Sequence, residues 1–188
     1  MEYSKSIPTV RLRRLAVCIA LLWLLVGCQS AVSTSDLSVA VAQVVSGRDF
    51  EVAGVAAQPE LTERVRLEGV DVPDVSQQPW GATAKSLLEK HLRGKTVRLE
   101  TDAEPHDAIG RRLAYVWLGD RLLNELLVAE GYAVVAPHVP NSRYDQRLAH
   151  AQDRARILGL GIWNPTQPMR QSPAEFRRQQ WGKGEAVR

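Results

Sequence analysis

A chain of 188 residues, 45% of them apolar, is long enough for one domain with a packed core. Its formal net charge of +3 is matched by residues 1–27 alone, where Lys5, Arg11, Arg13 and Arg14 oppose Glu2. Residues 28–169 carry 15 basic and 18 acidic side chains, which excludes the bulk basic footprint of many nucleic-acid binders; basic excess returns only from Arg170 onward.

In chain order the first element is an apolar run, Leu15 to Gly27, behind Arg11, Arg13 and Arg14. A membrane-spanning helix needs roughly 20 residues, and this run is shorter. A positive segment, a short apolar run and small closing residues read as an export signal over 1–27. Leu25-Val26-Gly27-Cys28 resembles the bacterial lipoprotein lipobox. That resemblance implies cleavage before Cys28, lipid on Cys28, and a membrane-surface location in the cell envelope. Cys18 then leaves with the signal and Cys28 carries lipid, so no disulfide is expected.

Residues 28–37 are small and polar beyond the cysteine and read as a flexible tether. The domain is placed at 38–165. Strands are predicted at 38–45 and 49–54, where Phe50 and Val52 alternate with Asp49 and Glu51, and at 64–70, where Val65 and Leu67 alternate with Arg66 and Glu68. A helix over 80–93 follows from Ala84, Leu87, Leu88 and Leu92, with Gly94 as its stop. Strands at 95–102 and 112–119, a short helix closed by Gly131 and a third helix near 144–158 complete the domain. In the basic tail, 166–188, Ser172-Pro173-Ala174-Glu175 fits a capping box and predicts a helix over about 173–181. The expected class is α+β: a five-stranded OB-type β-barrel with about three helices plus a short C-terminal helical tail.

Charged residues are grouped by placement. Arg66 stands on the polar face of its strand, Asp71 and Asp74 flank Pro73, and Arg111 follows a glycine at the start of a strand. Guanidinium forks hold phosphate oxygens, one carboxylate can hold a hard cation, and another can activate water. Surface ion pairing around a barrel is the plainer reading of the same spacing. The histidines form no metal-spaced pair, and Tyr115, Trp117 and Trp163 are expected in the core.

The order of "VRLEGVDVPD…QPWG", "GRRLAYVWLGD", "LLNELLVAEGYA" and "LGLGIW" resembles the thermonuclease, or staphylococcal nuclease-like, family from about Val39 to Trp163. That resemblance implies a calcium-dependent phosphodiesterase acting on DNA and RNA. Residue by residue, it places Arg66 and Arg111 on the phosphate-binding arginines, Asp71 on a metal-binding aspartate and Asp74 on the general-base glutamate, one methylene shorter. Val72 replaces a threonine that lends the metal its backbone carbonyl, which valine also has. The departure lies in Ser46-Gly47-Arg48-Asp49, where the family has Asp-Gly-Asp-Thr: Arg48 stands at the second metal aspartate.

A one-residue shift flips a strand side chain to the other face, so Asp49 is expected to point away. Arg48 is expected to bridge to Asp71 or Asp74 in place of the metal. The reading is an envelope-anchored thermonuclease-like domain with a degraded calcium site, weakly active or inactive, acting as a binding module. The alternative is an active calcium-dependent nuclease on DNA or RNA. Calcium is the expected cofactor if the site is active and none otherwise. The partners are DNA or RNA and the membrane through Cys28, with no cofactor-type small molecule; the sequence does not give an oligomeric state.

Overall fold

Alternating apolar residues start the barrel as a hairpin. Strand β1 (Leu37–Val44) pairs antiparallel with β2 (Asp49–Ala53), aligning Val44 with Phe50 and Val41 with Val52. The register shifts between Val41 and Gln43, a bulge that bends β1. Strand β2 pairs with β3 (Thr62–Leu67), setting Asp49 opposite Arg66 and Phe50 opposite Val65. The computed structural model describes residues 37–54 and 61–185. The expected signal segment 1–27, Cys28 and the expected tether up to residue 36 lie outside the described residues.

Strand β5 (Thr96–Glu100) joins the other edge of β1, and β6 (Arg112–Leu118) pairs with both β5 and, in parallel, β3. The cycle β1-β2-β3-β6-β5 therefore closes on itself, leaving these five strands without a free edge. The α+β class and five-stranded OB-type barrel expected from the sequence are the observed ones.

The barrel is filled by the inward members of each alternation: Phe50, Val52, Val65, Leu67, Val97, Leu99 and Val116 are buried. Full burial of side chains of this size stabilises by about 1.5–3 kcal/mol each. Helix α1 (Trp80–Leu92) lays Ala84, Leu88 and Leu92, spaced by four, against this core. Helix α2 (Leu123–Ala129) adds Leu123, Leu127 and Val128, and α3 (Asp145–Ile157) adds Leu148 and Ala151. The tail helix α4 (Pro173–Glu185) starts where the capping box predicts: Ser172 N donates to Glu175 Oε2 at 2.9 Å, and Glu175 N donates back to Ser172 Oγ at 3.3 Å.

Three short strands escape the periodicity: β4 (Val70–Asp71), β7 (Arg121–Leu122) and β8 (Val134–Val135), where β4 pairs with β8. The strand expected over 64–70 breaks at Glu68-Gly69. Glu68 is buried, not polar-facing: its Oε1 accepts from Gly69 N at 2.9 Å and its Oε2 from Asn141 Nδ2 at 3.1 Å. Gly69 has φ of +73°, which glycine adopts freely, so the chain turns there and re-aims Asp71. Of the aromatics expected inside, Tyr115 is buried. Trp117 is half-buried beneath Arg98 and Arg147, and Trp163 is half-buried beneath Arg156.

Candidate functional site

One end of the barrel gathers the β1–β2 turn, the ends of β3 and β4, the start of β6 and α4. The β1–β2 turn is tight. Val45 N and Ser46 N both donate to the Asp49 carbonyl at 2.9 Å, and Asp49 N donates to Ser46 Oγ at 3.0 Å. Leu67 N donates to the Arg48 carbonyl at 2.9 Å, tying the turn to β3. At Gly47 a β-carbon would sit 2.6 Å from Val72 Cγ1 and 2.9 Å from Ala84 Cβ. Only glycine lets the turn approach the β4 loop and α1 this closely.

That approach puts Arg48 within reach of Asp71. Arg48 Nη1 donates to Asp71 Oδ1 at 2.7 Å, and the two side chains are only 15% and 11% exposed. Arg48 Nε also lies 3.4 Å from Asp49 Oδ2. Burial, then repulsion from Arg177, lowers the Arg48 guanidinium below its ordinary pKa, while Asp71 and Asp49 oppose the shift. The other Asp71 oxygen is taken as well: Arg177 Nη2, from α4, donates to Asp71 Oδ2 at 2.6 Å.

Asp49 does not point away. It is buried, accepts from Ser46 Oγ at 3.0 Å and from Arg111 Nη1 at 3.1 Å, and so faces the same polar cluster as Arg48. The one-residue flip holds within a regular strand; Asp49 lies at the mouth of the turn, where Ser46 holds its backbone and side chain. Arg111 is tied a second time, its Nε donating to Asp107 Oδ2 at 2.7 Å with Nη2 2.6 Å from the same oxygen. Asp107 is in turn held by the backbone N–H groups of Ile109 and Arg111. Those bonds outweigh its burial and lower its pKa below the usual carboxylate value.

Arg66 is different. Its side chain makes no hydrogen bond and no ion pair within 4.0 Å among the described residues. Burial, then repulsion from Arg48 and Arg111, lowers its pKa, while Asp49 and Asp71 oppose the shift. It lines a cleft of about 410 Å³ together with Asp71, Asp107, Arg111, His138 and Arg177. A second hollow of about 80 Å³ lies among Ser46, Arg48, Asp49, Asp74 and Arg177.

Asp74 is exposed and turned onto its own loop. Its Oδ1 accepts from Ser76 N at 2.9 Å and Ser76 Oγ at 2.7 Å, and these bonds lower its pKa. Calcium takes six to eight oxygen ligands. Among the described residues no three His, Cys, Asp or Glu side chains come together as a cation site. Of the residues singled out in the sequence, Arg66, Asp71 and Arg111 line one cleft, Arg48 closes on Asp71, and Asp74 faces the smaller hollow. Asp107 and Arg177 were missed as site residues. Asp107 stands four residues before Arg111 in a glycine-containing turn, a readable signal; nothing in the spacing of Arg177 locates it in the barrel.

Residues 64–165 match the family described as Staphylococcal nuclease homologue. The chain is 45% identical over 106 residues to the thermonuclease of Staphylococcus intermedius, covering 54% of this chain and 63% of that protein. It is 39% identical over 107 residues to the thermonuclease of Staphylococcus hyicus, with the same coverage of both chains. It is 26% identical over 149 residues to Staphylococcal nuclease domain-containing protein 1 of Drosophila melanogaster, covering 71% of this chain and 16% of that one. The chain thus spans less than two thirds of the length of these curated relatives.

Proposed function

The chain belongs to the staphylococcal nuclease homologue family, and from that premise we propose a phosphodiester-binding module that works without calcium and hydrolyses weakly or not at all. The observation that carries this reading is the 2.7 Å pair between Arg48 and Asp71. A guanidinium at that position brings its own positive charge to the carboxylate and repels a divalent ion. Both Asp71 oxygens already accept from arginines, so the residues present do not fit a calcium shell. Asp74 supports the same reading: a general base works best with a pKa near the working pH, and Ser76 holds Asp74 lower.

What remains is binding. Arg66 offers a guanidinium with no competing ion pair to a cleft that Arg111 and Arg177 also line. Forked donors of this kind suit the oxygens of a DNA or RNA backbone. The proposed partner is therefore DNA or RNA, met at the envelope, where lipid on Cys28 would hold the domain. Loss of the protein from the membrane fraction in Cys28→Ser tests the anchor; unchanged fractionation refutes it.

A second reading, calcium-dependent hydrolysis, is favoured by the 45% identity to a thermonuclease and by the retained Arg66, Asp71 and Arg111. One set of assays separates the two. On the first reading, single-stranded DNA binds equally in calcium and in chelator, Arg66→Ala weakens it about tenfold, and calcium leaves hydrolysis at background. Calcium-stimulated cleavage by the unaltered protein would establish the second reading instead.

A further inference from the structure

We infer that the C-terminal helix is part of the site, and that Arg177 acts with Arg48 as a paired replacement for a divalent cation. This rests on the reading of Arg48 given above and extends it to a residue beyond the family-matched segment 64–165.

The pairing is symmetrical at Asp71. Arg48 Nη1 takes one carboxylate oxygen at 2.7 Å and Arg177 Nη2 takes the other at 2.6 Å. Two guanidinia bring two positive charges, the charge a divalent ion would bring, and Arg48 shares its own with Asp49 at 3.4 Å. Among the described residues Arg177 alone lines both the open cleft and the smaller hollow, so it stands between them.

The helix is placed to do this. The capping box fixes its first turn, Pro173 is buried, and Gln77 Nε2 donates to the Gln171 carbonyl at 2.8 Å just ahead of it. Met169 N donates to the Ile162 carbonyl at 2.9 Å, tying the preceding segment to the domain. Arg177 is then half-buried, its side chain 20% exposed, with Nη1 buried and lacking a hydrogen-bond partner among the described residues. A solvated charged tail would leave no donor in that condition; a helix held by the Asp71 pair does.

Arg177 is thus a positioning residue: it acts through Asp71, holding the carboxylate closed to cations. Restoring a carboxylate at position 48 is not enough to rebuild a calcium site, because Arg177 still occupies Asp71 Oδ2.

The test is the change in melting temperature on adding saturating calcium chloride, each protein being compared with itself in chelator. The unaltered chain and Arg48→Asp are expected to move by less than about 1 °C. The double variant Arg48→Asp/Arg177→Gln is expected to rise by at least about 3 °C. The rise should recur in Arg48→Asp truncated after Gln171 and be absent from Arg48→Asp/Arg177→Lys, which keeps the charge. A rise in Arg48→Asp equal to that of the double variant would overturn the role of Arg177 and leave that of Arg48 standing. No rise in either the double variant or the truncation would overturn the paired replacement as a whole, Arg48 included, and a rise in the unaltered chain would overturn both readings.

Discussion

At position 48 one side chain decides what its neighbours can do. A carboxylate there would leave Asp71 in need of a cation; the guanidinium satisfies Asp71 directly and spreads onto Asp49. Stripping one partner from an isolated buried pair costs about 3–5 kcal/mol; here Arg177 stays on Asp71 and Asp49 stays on Arg48, so losing either side chain costs less than that. Asp74 shows the same economy at the surface. Its carboxylate caps a turn through Ser76, with Arg177 and Arg48 adding smaller contributions. Because its folded pKa is depressed, its contribution to stability is present above the unfolded value and fades as pH falls through the folded one. Being exposed, it contributes little either way. We predict that Ser76→Ala raises the Asp74 pKa toward the ordinary carboxylate value, read from the pH dependence of its side-chain carboxyl carbon by NMR. An unchanged titration would mean that the arginines, not Ser76, hold it down.

Between elements, Glu100 ties the barrel to α3. It ends β5, is 6% exposed, and accepts from Trp117 Nε1 of β6 at 2.8 Å. Arg143 Nη1 donates to it at 2.6 Å and Tyr144 OH at 3.0 Å, both just ahead of α3. Burial alone would raise its pKa, yet these bonds lower it overall. The sign follows: the network stabilises above the ordinary carboxyl value and loses that contribution as pH falls through the folded one. Glu100→Gln should therefore cost about 1–3 kcal/mol in urea melts at pH 7 and much less near pH 3. An equal loss at both values would show that the charge contributes nothing. These elements were differently legible. Phe50, Val52, Val65 and Leu67 alternate in the sequence and line the barrel, because period-two burial leaves a period-two pattern. Glu68 did not read as buried, since its partner Asn141 is 73 residues away and a polar letter says nothing of such a partner. Asp49 misled because Arg48, the residue before it, lies in the turn and not in β2, so the one-residue flip does not apply between them. Arg177 was readable as a helix residue but not as a site residue, because its contact with Asp71 spans 106 positions.

Over the whole molecule the charges decide how strongly a polyanion can be held. Among the described residues the site holds four arginines, Arg48, Arg66, Arg111 and Arg177, against Asp49, Asp71, Asp74 and Asp107, and all but Arg66 lie within 4.0 Å of one of these carboxylates. Residues 28–169, three of these arginines included, sum to a slight acidic excess. Each phosphate neutralised on a single strand contributes about −0.7 to the slope of log affinity against log salt. If all four guanidinia met phosphates, the slope would approach about −2.8. With three of them already neutralised by carboxylates, we predict a slope between about −0.7 and −1.4 for single-stranded DNA, measured by fluorescence anisotropy across a salt series in chelator. Arg66→Ala should remove most of that slope, because it deletes the one of these four guanidinia with no carboxylate within 4.0 Å. A slope near −3 would mean that the ion pairs open on binding and hand their arginines to the nucleic acid, making Asp49, Asp71 and Asp107 competitors of the ligand for the same cations.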